Sequence, residues 1–210
     1  MAALSEFDSK KLLSDYGLAI TKETIVKNSL DGIVAVETLG YPVVAKLCGQ
    51  EIQHKTDVDG IRLNLRNSKD LEKAIDELLE KNGEGQEILI AQQVSGKREF
   101  IAGYHIDPDF GPVLMFGVGG IFTEALSDVN FRLLPSSRET IGDLIFEIKS
   151  QSLLGEFRGE DAVAIDDLID ALEAIAKCGI DNSKISSIDV NPIIISKGKP
   201  IAVDALVIMS

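Results

Sequence analysis

The chain has 210 residues, 45% of them hydrophobic and 26% charged, with a formal net charge of −13. This composition sustains a buried core without disulfide or metal staples, and its acidity disfavours free binding to the phosphate backbone of nucleic acid. Cys48 and Cys178 stand alone without metal-ligand spacing, which fits a reducing cytoplasm, and the longest apolar run, residues 112–122, is too short to span a bilayer.

The elements alternate between helical and strand patterns. The start, MAALSEFDSKK, shows no basic stretch followed by an apolar leader. A first helix is predicted over 5–17, capped by Ser5 and stopped at Gly17. A short strand follows at 24–26, then a helix over 31–40 closed by Gly40. Residues 41–47 read as a mostly buried strand and 61–65 as a half-exposed one, because apolar and polar side chains alternate. Leu71, Ala74, Ile75, Leu78 and Leu79 form one apolar stripe on a helix over 68–82, with Ser68 as cap and Gly83 as stop. Strands are predicted at 88–94, 99–106, 112–117 and 121–126. Ser136 with Glu139 resembles a capping box for a helix carrying Ile141, Leu144, Ile145 and Ile148. A last long helix runs from Ile165 to near Gly179. Strands at 187–195 and 201–208 close a hairpin around Ser196-Lys-Gly-Lys199. Short links between several neighbouring strands argue α+β lobes rather than one doubly wound sheet. Ser95-Gly96 marks a boundary between lobes 1–95, with the leading helix, and 96–210.

Neither a P-loop nor a dinucleotide glycine fingerprint occurs; Gly117-Val-Gly119-Gly120 is followed by Phe122 where the latter needs glycine. Lys46 sits within an apolar strand, where an ammonium needs a partner. A bound phosphate is one such partner; an exposed edge-strand lysine is the plainer alternative. His54 lies in a polar loop before a glycine turn. It reads either as a surface residue or as a phosphoryl-accepting imidazole oriented by Thr56 or Asp57. His105 alternates with apolar neighbours and reads as non-catalytic. Glycines 111, 117, 119 and 120 allow close backbone approach, to a ligand or within a tight hairpin. In the C-terminal hairpin, Asp189 and Asn191 share a face. A two-residue turn at Lys197-Gly198 places Asn191 directly opposite Asp204, with Cβ atoms roughly 5 Å apart. That pair suits Mg²⁺ or a simple cross-strand hydrogen bond.

Read together, these clusters resemble the NDP-forming acyl-CoA synthetases. The resemblance rests on Val44-Ala-Lys46, on Ile52-Gln-His54-Lys-Thr-Asp57-Val-Asp59-Gly60, and on the run from Asp107 through Gly111, Gly117 and Gly120 to Glu124. It also rests on Asn130-Phe-Arg132-Leu-Leu-Pro135, Leu154-Gly-Glu-Phe-Arg158-Gly159 and Ile188-Asp-Val-Asn191-Pro192. It implies an ATP-grasp fold of two α+β lobes holding nucleotide, and the reaction acyl-CoA + ADP + phosphate ⇌ carboxylic acid + ATP + CoA. It further implies Lys46 and Glu99 at the nucleotide, His54 as a phosphohistidine, and Asn191 and Asp204 as Mg²⁺ ligands. Glu124 and Arg132 match family positions without an assigned role. The CoA-binding portion and a first histidine are expected on a separate subunit. Two positions depart from the pattern. Asp59 replaces an expected glycine and adds charge near the phosphate path, and Ala91 replaces Gln or Glu on the hinge strand. A carboxylate ligase without phosphohistidine and a non-catalytic nucleotide-binding module are the competing readings.

Overall fold

Stripes of apolar side chains at helical and strand spacing drive two separate condensations of this chain. The computed structural model describes residues 2–49, 59–82, 86–120 and 128–210. One unit comprises residues 4–8 and 21–93, the other residues 1–3, 9–20 and 94–210.

The smaller unit is a four-stranded antiparallel sheet in the order β2 (Glu23–Val26), β5 (Glu87–Gln92), β3 (Val43–Cys48), β4 (Ile61–Leu65). Helices α2 (Ser29–Leu39) and α3 (Ser68–Asn82) pack on it, and Val36, Leu39, Leu71, Ile75 and Leu78 join Val43, Ala45, Leu47, Ile88 and Ile90 in one core. Gly32 lets α2 approach Ile75 of α3. Both helices begin at asparagine caps: Asn28 accepts from Asp31 N–H and Asn67 from Asp70 N–H, each at 2.9 Å. The cap expected at Ser68 therefore sits one residue earlier, and the expected stop at Gly83 lies outside the described residues.

The larger unit is a seven-stranded antiparallel sheet. Its order is β1 (Ala2–Ala3), β11 (Ala205–Met209), β9 (Ile185–Ser196), β6 (Glu99–Asp107), β7 (Gly111–Val118), β8 (Val129–Leu133), with β10 (Lys199–Ala202) also on β9. Helices α4 (Arg138–Phe146) and α5 (Ile165–Asp181) cover one face. That face buries Phe100, Ala102, Tyr104, Leu114, Phe116 and Ile188. Gly179 is needed at the contact, since a Cβ there would lie 2.5 Å from Tyr104 Cγ. The cap of α4 is Ser137, accepting from Thr140 N–H at 3.2 Å, while Ser136 bonds Leu133 O.

Other expectations change as well. The leading helix α1 (Glu6–Asp15) was assigned to the first lobe, but from Ser9 onward it belongs to the larger unit. The reason is long-range bonding: Lys10 Nζ donates to Val203 O at 3.1 Å, and Ser9 Oγ accepts from Val207 N–H at 3.0 Å. β8 is a strand that periodicity does not predict, and the strand predicted at 121–126 lies outside the described residues. The last hairpin strand is split at Val203-Asp204 into β10 and β11, both paired with β9.

Candidate functional site

The C-terminal ladder holds the register that a two-residue turn demands. Ser196 faces Lys199, Ile193 faces Ala202, and Val190 faces Ala205. Lys197 and Gly198 both take positive φ, 51° and 77°, as a primed hairpin turn requires. Between these paired segments Asn191 N–H donates to Asp204 O at 3.2 Å, so the two residues lie across from each other.

Where β9 meets β6, two residues of β9, Asn191 and Pro192, stand against Ile101 alone. This bulge locally re-aims side chains, as bulges near sites do. Glu99 and Gly103 share a face of β6, and Gly103 pairs with Asp189, so Glu99 and Asp189 lie on the same side of the sheet. Desolvation by surrounding protein, followed by the Asp204 carboxylate, raises the Asp189 carboxyl above the usual range. Asp189 pairs with Leu206, two residues beyond Asp204, and Asn191 alternates onto the same face. The sequence placed Asp189 beside Asn191 but gave it no role; its signal was the two-residue spacing.

The glycines around Glu99 divide by cause. Gly119 N–H donates to Glu99 O at 2.7 Å, and a Cβ there would sit 3.1 Å from the Glu99 and Phe100 carbonyl carbons. Gly120 has φ +85°, and the Glu99 carboxylate lies over it, 3.4 Å from where a Cβ would stand. Gly117 is crowded by Asp128 O and Val129. Close approach within the fold accounts for Gly117 and Gly119.

Lys46 lies in the smaller unit on β3, which runs between β5 and β4. It is 4% exposed, and its Nζ donates to Glu6 Oε1 at 2.7 Å. An exposed edge-strand lysine is therefore excluded: the ammonium is buried and paired with an acid 40 positions away. No sequence pattern announced Glu6. His54 and Glu124 fall outside the described residues.

The two departures from the family pattern acquire physical readings. Asp59 has φ +52°, a backbone that suits glycine and is tolerated by aspartate. Its carboxylate accepts from Lys81 Nζ and Arg62 Nη1, each at 3.0 Å, and Lys81 and then Arg62 hold it below the ordinary range. Its negative charge is thus already matched by two cations. Ala91 is buried in β5 between Glu23 and Val44. His105 stacks edge-on to Phe131 with ring centroids 6.5 Å apart, in line with its non-catalytic reading. A cleft of about 680 Å³ beside α5, lined by Tyr16, Pro135, Glu173 and Lys177, contains none of the predicted site residues.

Asn191 and Asp204 offer hard oxygen ligands across from each other, and Asp189 stands two residues before Asn191 on the same strand. Among the described residues no group of three or more His, Cys, Asp or Glu side chains is arranged for a metal. The two oxygen donors suit Mg²⁺, which takes one or two carboxylates and completes its shell with phosphate and water.

A family model described as an ATP-grasp domain matches residues 1–209. The chain belongs to the ATP-grasp family. It is 35% identical over 217 residues to acetate–CoA ligase [ADP-forming] II subunit beta of Pyrococcus furiosus, with 99% of this chain and 92% of that protein covered. Subunit beta of the organism's ligase I is 33% identical, with 98% and 91% covered. The 4-hydroxybutyrate–CoA ligase [ADP-forming] of Nitrosopumilus maritimus is 36% identical, but this ATP-grasp chain spans only 29% of its length. Among solved structures, the dinucleotide-forming acetyl-coenzyme A synthetase 1 of Ca. Korarchaeum cryptofilum, in complex with coenzyme A, Ca-AMPCP and HgCl⁺, superposes with a TM-score of 0.93. It is 34% identical over all of this chain and 94% of that one. The same enzyme with Mg-AMPPCP, its phosphohistidine segment pointing towards the nucleotide binding site, gives 0.86 at 34% identity, with 98% and 92% covered. The α+β ATP-grasp architecture is thus established, and the chain groups with the beta subunits of ADP-forming acetate–CoA ligases.

Proposed function

We propose that this chain is the nucleotide-binding subunit of an ADP-forming acyl-CoA synthetase and works with a separate CoA-binding subunit. The observation that carries the reading is end-to-end similarity to two beta subunits, combined with the register that sets Asn191 across from Asp204. The partner converts acyl-CoA and phosphate to acyl phosphate and CoA. The phosphoryl group then passes by way of histidine to ADP, releasing the carboxylic acid and forming ATP.

In this reading His54 is the phosphoryl acceptor on this chain. Its imidazole nitrogen forms a bond to phosphorus as the bond to the donor breaks, and yields the group to the terminal oxygen of ADP. Lys46 and Glu99 bind the nucleotide, Lys46 as a point charge toward phosphate while Glu6 holds its ammonium in place. Asn191 and Asp204 would hold Mg²⁺, with Asp189 two residues before Asn191 on the same strand. Mg²⁺ bound there neutralises charge on the nucleotide phosphates. Phosphoryl transfer is accelerated chiefly by positioning and charge neutralisation, which is the work these side chains are suited to do. The matched charge of Asp59 supports a working phosphate path over a silenced module. Two thiols outside any disulfide, Cys48 and Cys178, fit a reducing cytoplasm.

The test is reconstitution. The chain is mixed with its CoA-binding partner, and ATP formation from acyl-CoA, ADP and phosphate is followed. Turnover is expected only with both chains, and Asn191→Ala abolishes it without lowering the unfolding temperature. Full turnover by this chain alone contradicts the split-enzyme reading.

A further inference from the structure

A strap of the larger unit, residues 151–164, is fastened to the start of β6 by side chains that the proposed reaction leaves unused. Arg98 is 1% exposed. Its guanidinium donates to Gly155 O at 2.8 Å, Leu153 O at 3.0 Å and Glu160 Oε2 at 3.3 Å, and also to Asp161 O. Lys97 adds two bonds: its N–H donates to Glu160 Oε1 at 2.9 Å and its Nζ to Arg158 O at 3.0 Å. Glu99 follows directly in the chain. The strap and the end of the sheet that carries Glu99 are therefore tied together by a network of charge-assisted bonds centred on the buried Arg98.

A two-residue turn lies in the middle of the strap. Phe157 and Glu160 exchange backbone hydrogen bonds of 3.1 and 3.0 Å, and Arg158 and Gly159 take φ of 50° and 83°. Turns of this kind favour Asn or Asp before Gly, because a short polar side chain eases the left-handed backbone. Arginine has no such means, so its presence works against local preference and turns attention to its head group. That guanidinium lies over the Phe157 ring, 5.2 Å from the centroid. It is exposed and forms no ion pair with a carboxylate among the described residues, whereas neighbouring Glu160 is committed to Lys97 and Arg98. A stacked, planar guanidinium with an open fork matches the geometry of a phosphoryl oxyanion.

We propose that Arg158 binds a phosphoryl oxyanion of the reaction, supplied by the nucleotide or by inorganic phosphate, and that the 151–164 strap holds it in place. This assignment rests on the phosphoryl-transfer reading above. The experiment compares wild type, Arg158→Asn and Arg158→Lys in the reconstituted two-chain enzyme. Asparagine suits the turn, so Arg158→Asn should unfold at the wild-type temperature or higher. It should nevertheless lose roughly tenfold or more in kcat/KM. A raised KM for ADP identifies the nucleotide as the source of the oxyanion; a raised KM for phosphate identifies the free ion. Arg158→Lys should recover part of the loss, because it keeps the charge and lacks the fork. An unaltered kcat/KM for Arg158→Asn overturns the assignment. So does a fall of several degrees in its unfolding temperature, which would make the residue a turn former. Wild-type turnover run alongside separates the two ideas. Its absence overturns the reaction and this assignment together; its presence with an unaffected variant overturns the assignment alone.

Discussion

Lys46 and Glu6 bury opposite charges in the smaller unit, and that pairing changes what a substitution reports. Removing the ammonium alone takes one charge from a buried, hydrogen-bonded pair, so Lys46→Ala should cost about 3–5 kcal/mol of stability whatever its role with nucleotide. The double variant Glu6→Leu/Lys46→Met should regain most of that loss and still bind ADP weakly. Urea denaturation and calorimetric titration with ADP check the two halves; wild-type ADP affinity in the double variant would leave Lys46 a purely structural residue. Asp128 is a second buried charge with a local task. Burial opposes its ionisation, but hydrogen bonds from Lys149 N–H and from Ser150 outweigh that and hold its carboxyl below the usual range. A carboxyl depressed in the native state contributes stability above its unfolded pKa, about 3.9, and loses it as pH falls through the native value. Asp128→Asn should therefore cost about 1.5–3 kcal/mol near neutrality, and the gap from wild type should close in acid below about pH 4. Denaturation midpoints across pH measure this directly.

The C-terminal hairpin was the most legible element, because strand alternation and turn length alone fix which side chains oppose each other. Lys197-Gly198 set the register, and Asn191 met Asp204 as that register requires. Gly198 must keep its left-handed backbone, and a Cβ there would also lie 2.8 Å from Ala162 O. Gly198→Ala should then cost about 1–2 kcal/mol or more and weaken Mg²⁺-dependent nucleotide binding by disturbing Asn191 and Asp204. Unchanged binding with lowered stability would separate the turn from the site. Helix interiors were equally plain, since Leu71, Ile75 and Leu78 occupy the core that their spacing implied. Helix starts were less so. Adjacent Asn67 and Ser68, or Ser136 and Ser137, are all competent caps, and only the observed hydrogen bond chooses between them. β8 escaped notice because its residues, Val-Asn-Phe-Arg-Leu, form an edge strand whose outward Phe131 and Leu133 remain exposed, blurring the usual contrast between buried and polar faces.

Contacts between distant parts of the chain were the illegible part at the level of the whole molecule. Nothing in local pattern pairs Glu6 with Lys46, Arg98 with the 151–164 strap, or the leading helix with β11. These links depend on tertiary closure, which spacing rules do not encode. The family resemblance supplied what periodicity could not, an ATP-grasp assignment now supported along residues 1–209. The central claim is that phosphate travels through His54 of this chain. It is tested most directly by incubating the two-chain enzyme with Mg²⁺ and γ-labelled ATP, then locating the label by peptide mass spectrometry. The account predicts an acid-labile, base-stable phosphoryl group on His54 that is discharged by ADP and absent in His54→Ala, which also loses turnover. Persistent turnover in His54→Ala, or no label at His54 in an active enzyme, would contradict it.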